Sequence, residues 1–411
     1  MKLKTLMHFA TLILFAPAVL ASTTWYVNGA SGSDSDNCLS AQAACKTIGH
    51  AISLAASGDT VMVSAATYTE TLTVSLNLNL IGAGASTTII DGRASGTVVS
   101  ISSPTAHVTL SNLTVRNGKA NSGAGINNSG TLTLSNSTVT GNWASIPCHP
   151  LLLVCLSNGT AYGGGIYNSG TLTVSNSTIT GNQAGGGCNA NPCSAFGGGI
   201  YNKGTVMVIK GSTLNGNIAH TACTTRLSCL VGQGGAFYTL GSTVTLNNST
   251  ITGNNAYRCS GTCGGTGGAI VNGSGIFAMD NSTVSGNSAG GIVNGGTATL
   301  QNSIVDNNAG INCHGTITSH GYNLSSDDTC KLNVPGDLNN HDPLLGPLQN
   351  NGGPTETMAL LPGSPAIDGG NPSGCTDGQG HLLKTDQRGM PRPDREDIVG
   401  CDIGAYERQS D

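Results

Sequence analysis

The sequence is poor in charged and aromatic residues, and each shortage excludes a class of protein. Charged residues make up 9% of the chain, aromatic residues make up 4%, and the formal net charge is -5. A disordered chain typically combines high net charge with few apolar residues, and a nucleic-acid-binding domain shows a basic excess. Neither description fits this composition. We therefore expect a folded protein without a nucleic-acid partner.

Acidic residues are missing from a long internal stretch. No Asp or Glu lies between Gly92 and Met279, and only Asp280 and Asp306 follow before Asn312. Glycosidases need two carboxyl groups flanking the scissile bond, and calcium sites need several oxygen ligands. Most of this region cannot build either arrangement. The sequence therefore predicts no catalytic residue, no metal site and no cofactor.

Long apolar runs are absent except at the N-terminus. Lys2 and Lys4 precede an apolar run over 12–20, and Val19-Leu20-Ala21 fits the small-residue rule for signal-peptide cleavage. We predict a signal peptide over 1–21 and a secreted, extracellular mature chain without a membrane span. No Cys follows the cleavage site, which argues against a lipoprotein.

The chain is rich instead in a Gly- and Asn-containing repeat. The stretch GGGIYNSGTLTVSNSTITGN begins at Gly163, and near copies begin at Gly123 and Gly234. The Gly-Asn pair of the repeat recurs at Asn142, Asn182, Asn217, Asn254, Asn287 and, more loosely, Asn307. The last two are 20 residues apart without an insertion, so the bare unit has about 20 residues and the longer spacings contain extra loops.

Each unit contains three short runs in which apolar and polar residues alternate. In the unit from Gly163 they are GIYN, TLTV and STIT. Alternation with a period of two predicts strands, with Leu172 and Val174 pointing inward. Strands this short bury their apolar faces only by coiling and stacking, which predicts an all-β parallel β-helix with three strands per rung. A propeller needs about 40 residues per blade, and a leucine-rich repeat needs a Leu framework that is absent.

The repeated Asn and Gly residues have a structural explanation. Tight corners need positive φ, which Gly and Asn tolerate best, and Asn side chains at equivalent corners can form a stack of amide hydrogen bonds. The tripeptide Asn-Ser-Thr is also a glycan acceptor sequence, and it recurs at Asn136, Asn176, Asn248 and Asn281. Because it recurs in phase with the strands, we interpret it as a rung corner.

The flanks of the repeat predict two caps. Residues 46–59 place Ile48, Ile52, Ala55 and Ala56 on one face of a short helix, which would cover the N-terminal end of the apolar stack. The regular pattern fades near Asn312, where Pro and charged residues become frequent. We therefore divide the mature chain into a solenoid over 22–311 and a C-terminal cap over 312–411.

The cysteines predict disulfides, since an exported chain with fourteen Cys favours them over metal sites. The simplest connectivity joins neighbours, although the sequence leaves other pairings open. These pairs are Cys38 and Cys45, Cys148 and Cys155, Cys188 and Cys193, Cys223 and Cys229, Cys259 and Cys263, Cys313 and Cys330, and Cys375 and Cys401.

Three stretches resemble known families. GDTVMVSAATYTETLTV resembles the opening of pectate-lyase-like, right-handed parallel β-helix proteins, and GGGI, GGAF and GGAI resemble polymorphic outer-membrane protein repeats. DPLLGPLQNNGGPTETMALLPGSPAIDGG (342–370), together with TDQRGMPRP and GCDIGAYE (385–407), is similar to the choice-of-anchor Q domain of bacterial proteins. This resemblance implies an exported or surface β-helix, usually with a detachable anchoring signal. No anchor follows YERQSD, and the family implies no activity.

Charged residues elsewhere have ordinary structural interpretations. Arg116, Lys119, Lys203, Lys210, Arg226 and Arg258 are scattered over different units, which is typical of solvated loop charges. Acidic and basic residues alternate near the C-terminus, and we predict that they form a salt-bridged cap rather than a catalytic pair. They are Asp386, Asp394, Glu396, Asp397, Asp402 and Glu407, with Arg388, Arg392, Arg395 and Arg408.

The inserted loops are the best candidate for a binding surface, because they lie at the same place in each unit and would stack along one flank. Candidate ligand-binding residues are His149, Tyr162, Phe196, Arg226, Tyr257 and Arg258. The sequence thus predicts a monomeric, non-enzymatic extracellular protein with a structural, adhesive or glycan-contacting role. Its partner would be an extracellular polysaccharide or cell-surface glycan. The alternative is a polysaccharide lyase or glycoside hydrolase whose acids come from the C-terminal region.

Overall fold

The structure is a computed structural model that describes residues 22–145, 148–149, 154–155, 159–188, 194–223, 232–256, 267–377, 380–395 and 400–410. Of residues 148–149, 154–155, 186–188 and 221–223 only the backbone is described. The predicted signal peptide lies outside the described residues.

Most described strands belong to two long sheets that wind around one axis. The wide sheet has 18 strands. They are Thr24–Val27, Asp59–Val63, Leu72–Val74, Leu78–Gly82, Val99–Ile101, His107–Ser111, Ile126–Asn128, Thr131–Ser135, Ile166–Asn168, Thr171–Ser175, Ile200–Asn202, Val206–Lys210, Phe237–Asn247, Ile270–Asp280, Ile292–Asn294, Thr297–Gln301, Cys313–His314 and Thr318–Ser319.

The narrow sheet has 11 strands. They are Ala66–Tyr68, Thr88–Asp91, Thr114–Arg116, Thr138–Thr140, Thr178–Thr180, Thr213–Asn215, Thr250–Thr252, Thr283–Ser285, Ile304–Asp306, Leu324–Ser325 and Leu338–Asn339. The pairings within both sheets are parallel, and they join each rung to the next. The prediction of a right-handed parallel β-helix is confirmed.

The rung that begins at Gly163 has the three predicted strands. Ile166–Asn168 and Thr171–Ser175 belong to the wide sheet, and Thr178–Thr180 belongs to the narrow sheet. Each residue lies in register with its copy one repeat earlier. Partners across this step are Ile166 with Ile126, Leu172 with Leu132, and Ile179 with Val139.

The core is a column of stacked aliphatic side chains. Leu172 and Val174 are fully buried, as their alternation predicts, while Thr171 and Thr173 remain partly exposed. Each buried Leu, Ile or Val contributes roughly 1.5–3 kcal/mol relative to an exposed one. Every rung adds the same kind of residue at the equivalent position. The apolar side chains of the first and last rungs would therefore be exposed to solvent unless other residues cap them.

Asn side chains form the predicted ladder at the corner after the narrow sheet. The Nδ2 of Asn182 donates to Oδ1 of Asn217 at 3.0 Å, and the Nδ2 of Asn217 donates to Oδ1 of Asn254 at 3.0 Å. Each Oδ1 also accepts the backbone N–H of the preceding ladder residue. The continuous ladder consists of Asn142, Asn182, Asn217, Asn254, Asn287, Asn308 and Asn312.

The acceptor tripeptides occupy the corner where the chain passes from the wide sheet to the narrow sheet. Asn136, Asn176, Asn248 and Asn281 all have left-handed backbone, with φ between 44° and 48°. Asn136 and Asn176 are exposed, whereas Asn281 is buried. Positive φ at this corner explains why Asn recurs there, without any need for glycan chemistry.

Both ends of the apolar column are closed. The helix Ile48–Leu54 is shorter than predicted, and it buries Ile48 and Ala51 at the N-terminal end. Glu70 stabilises its first turn by accepting the N–H groups of Ile48 and Gly49 at 2.9 and 2.8 Å. At the other end Leu332, beside the Cys313–Cys330 disulfide, packs on the last rungs.

The inserted loops begin and end as additional strands. Lys119–Ala120, Trp143–Ser145, Gln183–Cys188, Ile218–Cys223 and Asn255–Ala256 form one small sheet, and Thr160–Tyr162, Ser194–Phe196 and Gly232–Gln233 form another. Between them lies a small core of alanines: Ala144, Ala161, Ala184, Ala195 and Ala219. We call these two sheets the lateral extension. The strands Cys148–His149 and Val154–Cys155 form a hairpin in one insertion.

Residues 342–410, here called the C-terminal segment, lie along the side of the coil against the narrow sheet. Among the described residues of this segment, Leu345–Gln349 and Thr357–Leu360 form an antiparallel two-stranded sheet. Thr213 and Thr250 of the narrow sheet are buried beneath this segment, whereas the equivalent Thr178 on an uncovered rung is partly exposed. The sequence predicted a cap over 312–411. In the structure the described residues of the C-terminal segment cover a side face, over Thr213 and Thr250, and the division into domains stays a prediction.

Disulfides join Cys38 to Cys45, Cys313 to Cys330, and Cys375 to Cys401, each a neighbour pair. Cys148 and Cys155 lie opposite each other in their hairpin, and Cys188 lies in register with Cys223 one rung away. The side chains of these four are not described, and Cys193, Cys229, Cys259 and Cys263 lie outside the described residues. Their pairing stays a prediction.

The Asn ladder should contribute measurably to stability. Asn217→Ala leaves the Asn182 N–H and the Ile179 carbonyl without the partners that Asn217 supplies. We expect the free energy of unfolding to fall by roughly 2–4 kcal/mol, measured by chemical denaturation. The control is Asn176→Gly, which keeps positive φ at an exposed corner and should change stability by no more than about 0.5 kcal/mol. Equal midpoints for the two variants would contradict a stabilising ladder.

Candidate functional site

Two predicted binding residues, Tyr162 and Phe196, lie in an aromatic cluster at the junction of the lateral extension and the coil. Their rings stack on each other with centroids 5.8 Å apart. On the wide sheet, Tyr201 stacks with Tyr167 at 5.5 Å and with Tyr238 at 5.7 Å. Tyr162 also packs against Tyr201 at 4.6 Å. The cluster therefore joins the extension to the coil.

The geometry of this cluster limits what it can bind. Parallel rings on successive rungs cover each other's faces, so they present mainly edges and hydroxyl groups to solvent. Burial raises the pKa of Tyr201 to about 12, with smaller contributions from the neighbouring tyrosines, so the phenol stays neutral. Lys203 lies 5.3 Å from the centroid of Tyr167. These contacts hold the lateral extension in place.

The side chains of the other four predicted binding residues are not described. His149 belongs to the hairpin strand Cys148–His149, of which only the backbone is described. Arg226, Tyr257 and Arg258 lie outside the described residues. Their role in binding stays a prediction.

A different aromatic residue lines an open cleft of about 370 Å³ at the base of the lateral extension. Trp143 is 37% exposed, and its Nε1 donates to the Gly185 carbonyl at 3.0 Å. The Nζ of Lys119, one rung earlier and in register, lies 4.6 Å from the Trp143 ring centroid. Arg93 and Asn117 also line the cleft. We call this the tryptophan cleft.

Positive charge gathers in the tryptophan cleft. The one acid on its wall, Asp91, accepts from Nε of Arg116 and from Nδ2 of Asn117 at 2.8 and 2.9 Å. Hydrogen bonds from Arg93, Arg116 and Asn117 lower the pKa of Asp91 against the effect of burial. In the part of the chain that the structure describes, neither Arg93 nor Lys119 forms an ion pair. The cleft thus carries net positive charge in a protein whose net charge is -5.

Two residues of this cleft have strained backbone. Arg93 and Ala94 are consecutive, lack the freedom of Gly, and have φ of 43° and 59°. Non-Gly residues in this region cost of order 1–3 kcal/mol each and cluster at functional sites. The sequence contained a signal for the cleft, since Trp143 follows a Gly-Asn pair where other units have Gln183, Ile218 or Asn255. The scattered position of Lys119 in the sequence predicts a solvated charge, whereas register across rungs brings its Nζ to Trp143.

Two clefts between the coil and the C-terminal segment are lined by acidic residues. One, of about 740 Å³, is lined by Asp306 and Asp342 together with Leu344 and Leu361. Ser285 donates to Asp306 at 3.0 Å, and burial raises the pKa of Asp306 above its usual range. The other, of about 440 Å³, is lined by Lys210, Asn247 and Asp377, among others, and we call it the seam cleft.

The predicted salt-bridged cluster near the C-terminus is present among the described residues. Arg388 pairs with Asp386 at 2.7 Å, and Arg392 pairs with Glu407 at 2.8 Å. All four side chains are buried, and Arg388 lies 3.7 Å from the ring of Tyr406. Burial raises the pKa of Glu407, against the opposing charge of Arg392. These residues belong to the TDQRGMPRP and GAYE stretches, which therefore form the framework of the C-terminal segment.

Gln387 of the TDQRG stretch connects this framework to the coil. Its Nε2 donates to Oγ1 of Thr213 and of Thr355, both at 2.9 Å, and its Oε1 accepts from Thr250 at 2.6 Å. Arg392 adds a bond from Nη1 to Oδ1 of Asn248 at 2.9 Å. The C-terminal segment is therefore attached through buried polar groups, and the sequence alone did not indicate their partners.

One close group of potential metal ligands occurs among the described residues, namely Cys38, Cys45 and His50. The two cysteines form a disulfide, so they offer no thiolate.

The sole helix in the described ranges has seven residues and is too short to cross a bilayer.

Comparison with known proteins identifies structures of similar fold. Pectate lyase Pel9A is 15% identical with a TM-score of 0.44, covering 95% of this chain and 98% of that one. Pectin methylesterase from Aspergillus niger is 13% identical with a TM-score of 0.38, covering 77% and 90%. The carrot pectin methylesterase is 11% identical with a TM-score of 0.36, covering 68% and 85%. At these identities the likeness concerns the fold, and it assigns no activity to this chain.

No family model matches the chain, and no curated protein matches it. The resemblance to the choice-of-anchor Q domain therefore stays a prediction.

The attachment of the C-terminal segment through Gln387 can be tested by removing the Gln387 side chain. Gln387→Ala leaves buried Thr213, Thr250 and Thr355 without the side-chain partner described above. We expect roughly 1–3 kcal/mol lower stability and faster proteolysis of the C-terminal segment, because unsatisfied buried groups are costly. Gln42→Ala, at an exposed position, is the control and should match the parent protein. Unchanged proteolysis of Gln387→Ala would show that other contacts hold the segment.

Proposed function

We propose that this protein is an exported, non-enzymatic β-helix that contacts glycans through the tryptophan cleft. The observation that supports this most directly is the exposed ring of Trp143 beside Lys119 and Arg93 in an open cleft. A sugar ring has a face of C–H groups that packs on an indole, and its hydroxyl or carboxylate groups accept from cationic side chains. Lys119 and Arg93 favour glycans that carry negative charge.

Export is part of the same proposal. Three disulfides among the described residues are typical of an oxidising compartment, which agrees with the predicted signal peptide. An adhesive role requires that the glycan belong to a surface or matrix, and a monomer with one cleft would bind it weakly. We propose the aromatic cluster of Tyr162 and Phe196 as structural support for the loops beyond it.

Binding can be measured with the mature protein on pectin, alginate and a neutral polysaccharide, using isothermal titration calorimetry. Trp143→Ala should weaken binding roughly tenfold or more, as loss of a central aromatic contact does. Trp143→Phe should retain much of the affinity because it keeps a ring. Leu240→Ala removes an exposed apolar side chain outside the cleft and should change nothing.

Two results would overturn this proposal. The first is the absence of binding to every polymer in the panel by the folded parent protein. The second is equal affinity for Trp143→Ala and Leu240→Ala, which would place any glycan contact elsewhere.

A lyase or hydrolase is the second candidate, and one observation favours it. Asp306 and Asp342 line the same cleft, so the C-terminal segment supplies a carboxyl group that the coil lacks. Two carboxyl groups are what glycoside hydrolysis requires. We expect no shortening of pectin or alginate chains when size-exclusion chromatography follows long incubations with calcium. Depolymerisation that Asp306→Asn abolishes would replace our proposal with the enzymatic one.

A further inference from the structure

The C-terminal segment meets the wide sheet where the strand Ile270–Asp280 ends. Nδ2 of Asn281 donates to the Thr376 carbonyl at 2.6 Å, and Nδ2 of Asn248 donates to the Thr385 carbonyl at 2.9 Å. The disulfide between Cys375 and Cys401 fixes the same part of the segment. Residues 375–377 and 380–385 therefore contact the coil through a few polar groups, and we call this contact the seam.

Asp280 is the unusual residue of the seam. It is 3% exposed, and its Oδ2 is fully buried without a hydrogen-bond partner among the described residues. Its neighbour in register, Asn247, also has a buried Oδ1 without a donor. An ionised carboxylate in this position lacks the donors that normally stabilise a buried charge. A protonated carboxyl group is neutral and avoids the free-energy cost of burying that charge.

The charges that face Asp280 do not favour its ionisation. Across the seam lies Asp377, whose negative charge adds to the effect of burial, and His381 pairs with Asp377 at 3.0 Å. Lys210 precedes Asn247 in the same row of the wide sheet, and the buried pair of Arg388 with Asp386 lines the cleft. In the ranges that the structure describes, Asp280 has no ion pair with a basic side chain.

We propose that the seam is a proton-dependent latch, in which residues 375–377 and 380–385 hold to the coil while Asp280 carries a proton and loosen when Asp280 is ionised. The seam cleft is walled by Lys210 and Asn247 of the coil and by Leu383 and Thr385 of the segment. Loosening the segment therefore opens the cleft. The latch does not depend on the proposed glycan contact, because the tryptophan cleft is lined by residues of other rungs.

The strength of docking depends on pH in a direction that is set by the raised pKa of the buried acid Asp280. Burial first, and the charge of Asp377 second, raise the pKa of Asp280 from 3.8 to about 7. The docked state therefore binds the proton more tightly than the undocked state, so docking is strongest at low pH. It weakens by up to about tenfold per pH unit between pH 4 and 7, and it stays constant above that range.

Hydrogen exchange on the full mature protein tests the latch. The Asp377 N–H donates to the His381 carbonyl and the Leu383 N–H donates to the Cys375 carbonyl, so protection factors at these amides report on the segment. In the parent protein we expect these factors to fall at least tenfold from pH 5.5 to pH 8.5. In Asp280→Asn, which cannot ionise, they should stay nearly constant, while core amides such as those of Leu172 and Val174 stay protected in both.

Two further variants separate this latch from a general effect of buried acids. Asp306→Asn removes a different buried acid with a raised pKa and should keep the parent's pH dependence at the seam. Asp377→Asn removes the facing charge and should reduce the pH dependence in part. The proposal fails if Asp280→Asn loses protection with pH as the parent does, or if neither protein changes. Should Asp280→Asn fail to fold, Asp280→Ser, which also cannot ionise, takes its place, and a pH response equal to that of the parent would overturn the proposal.

Discussion

The structure depends on the parallel register between successive rungs. Backbone hydrogen bonds join each strand to its copy one repeat away, so equivalent residues lie directly above one another at the spacing of paired strands. This register stacks aliphatic residues into one column and Asn side chains into one ladder. The same constraint makes charge expensive, because a charged residue at a repeated position would face its own copy. That cost agrees with the low content of charged residues, which make up 9% of the chain.

The lateral extension and the C-terminal segment, which do not follow the repeat of about 20 residues, both lie at the side of the coil. The lateral extension continues the rung spacing outward, with a core that consists only of alanines because its two sheets lie close together. The C-terminal segment instead binds across several rungs, and it uses Gln387 and Arg392 to satisfy Thr and Asn side chains that elsewhere face water. Charged residues concentrate there since the segment does not repeat and like charges do not stack.

The sequence predicted the coil well because the repeat expresses one physical rule at every turn. Leu172 and Val174 point inward, and the Asn ladder and the positive φ at Asn136 follow from the same periodicity. The prediction was weaker for the helix, which ends at Leu54 rather than near Gly58. It also missed Trp143, whose partners Lys119 and Arg93 come from other rungs, so no local pattern marks them as neighbours.

The amino-acid sequence by itself determined the architecture, since a period of about 20 residues with alternating apolar positions leaves few ways to bury them. Only the tertiary structure decided where the acids lie. Asp280 and Asp377 are far apart in the chain, and Asp306 and Asp342 belong to different regions, yet each pair meets at the edge of the C-terminal segment. That segment has no repeat, so its position depends on buried polar contacts such as those of Gln387. Such contacts are specified by geometry in three dimensions and leave no periodic trace in the sequence.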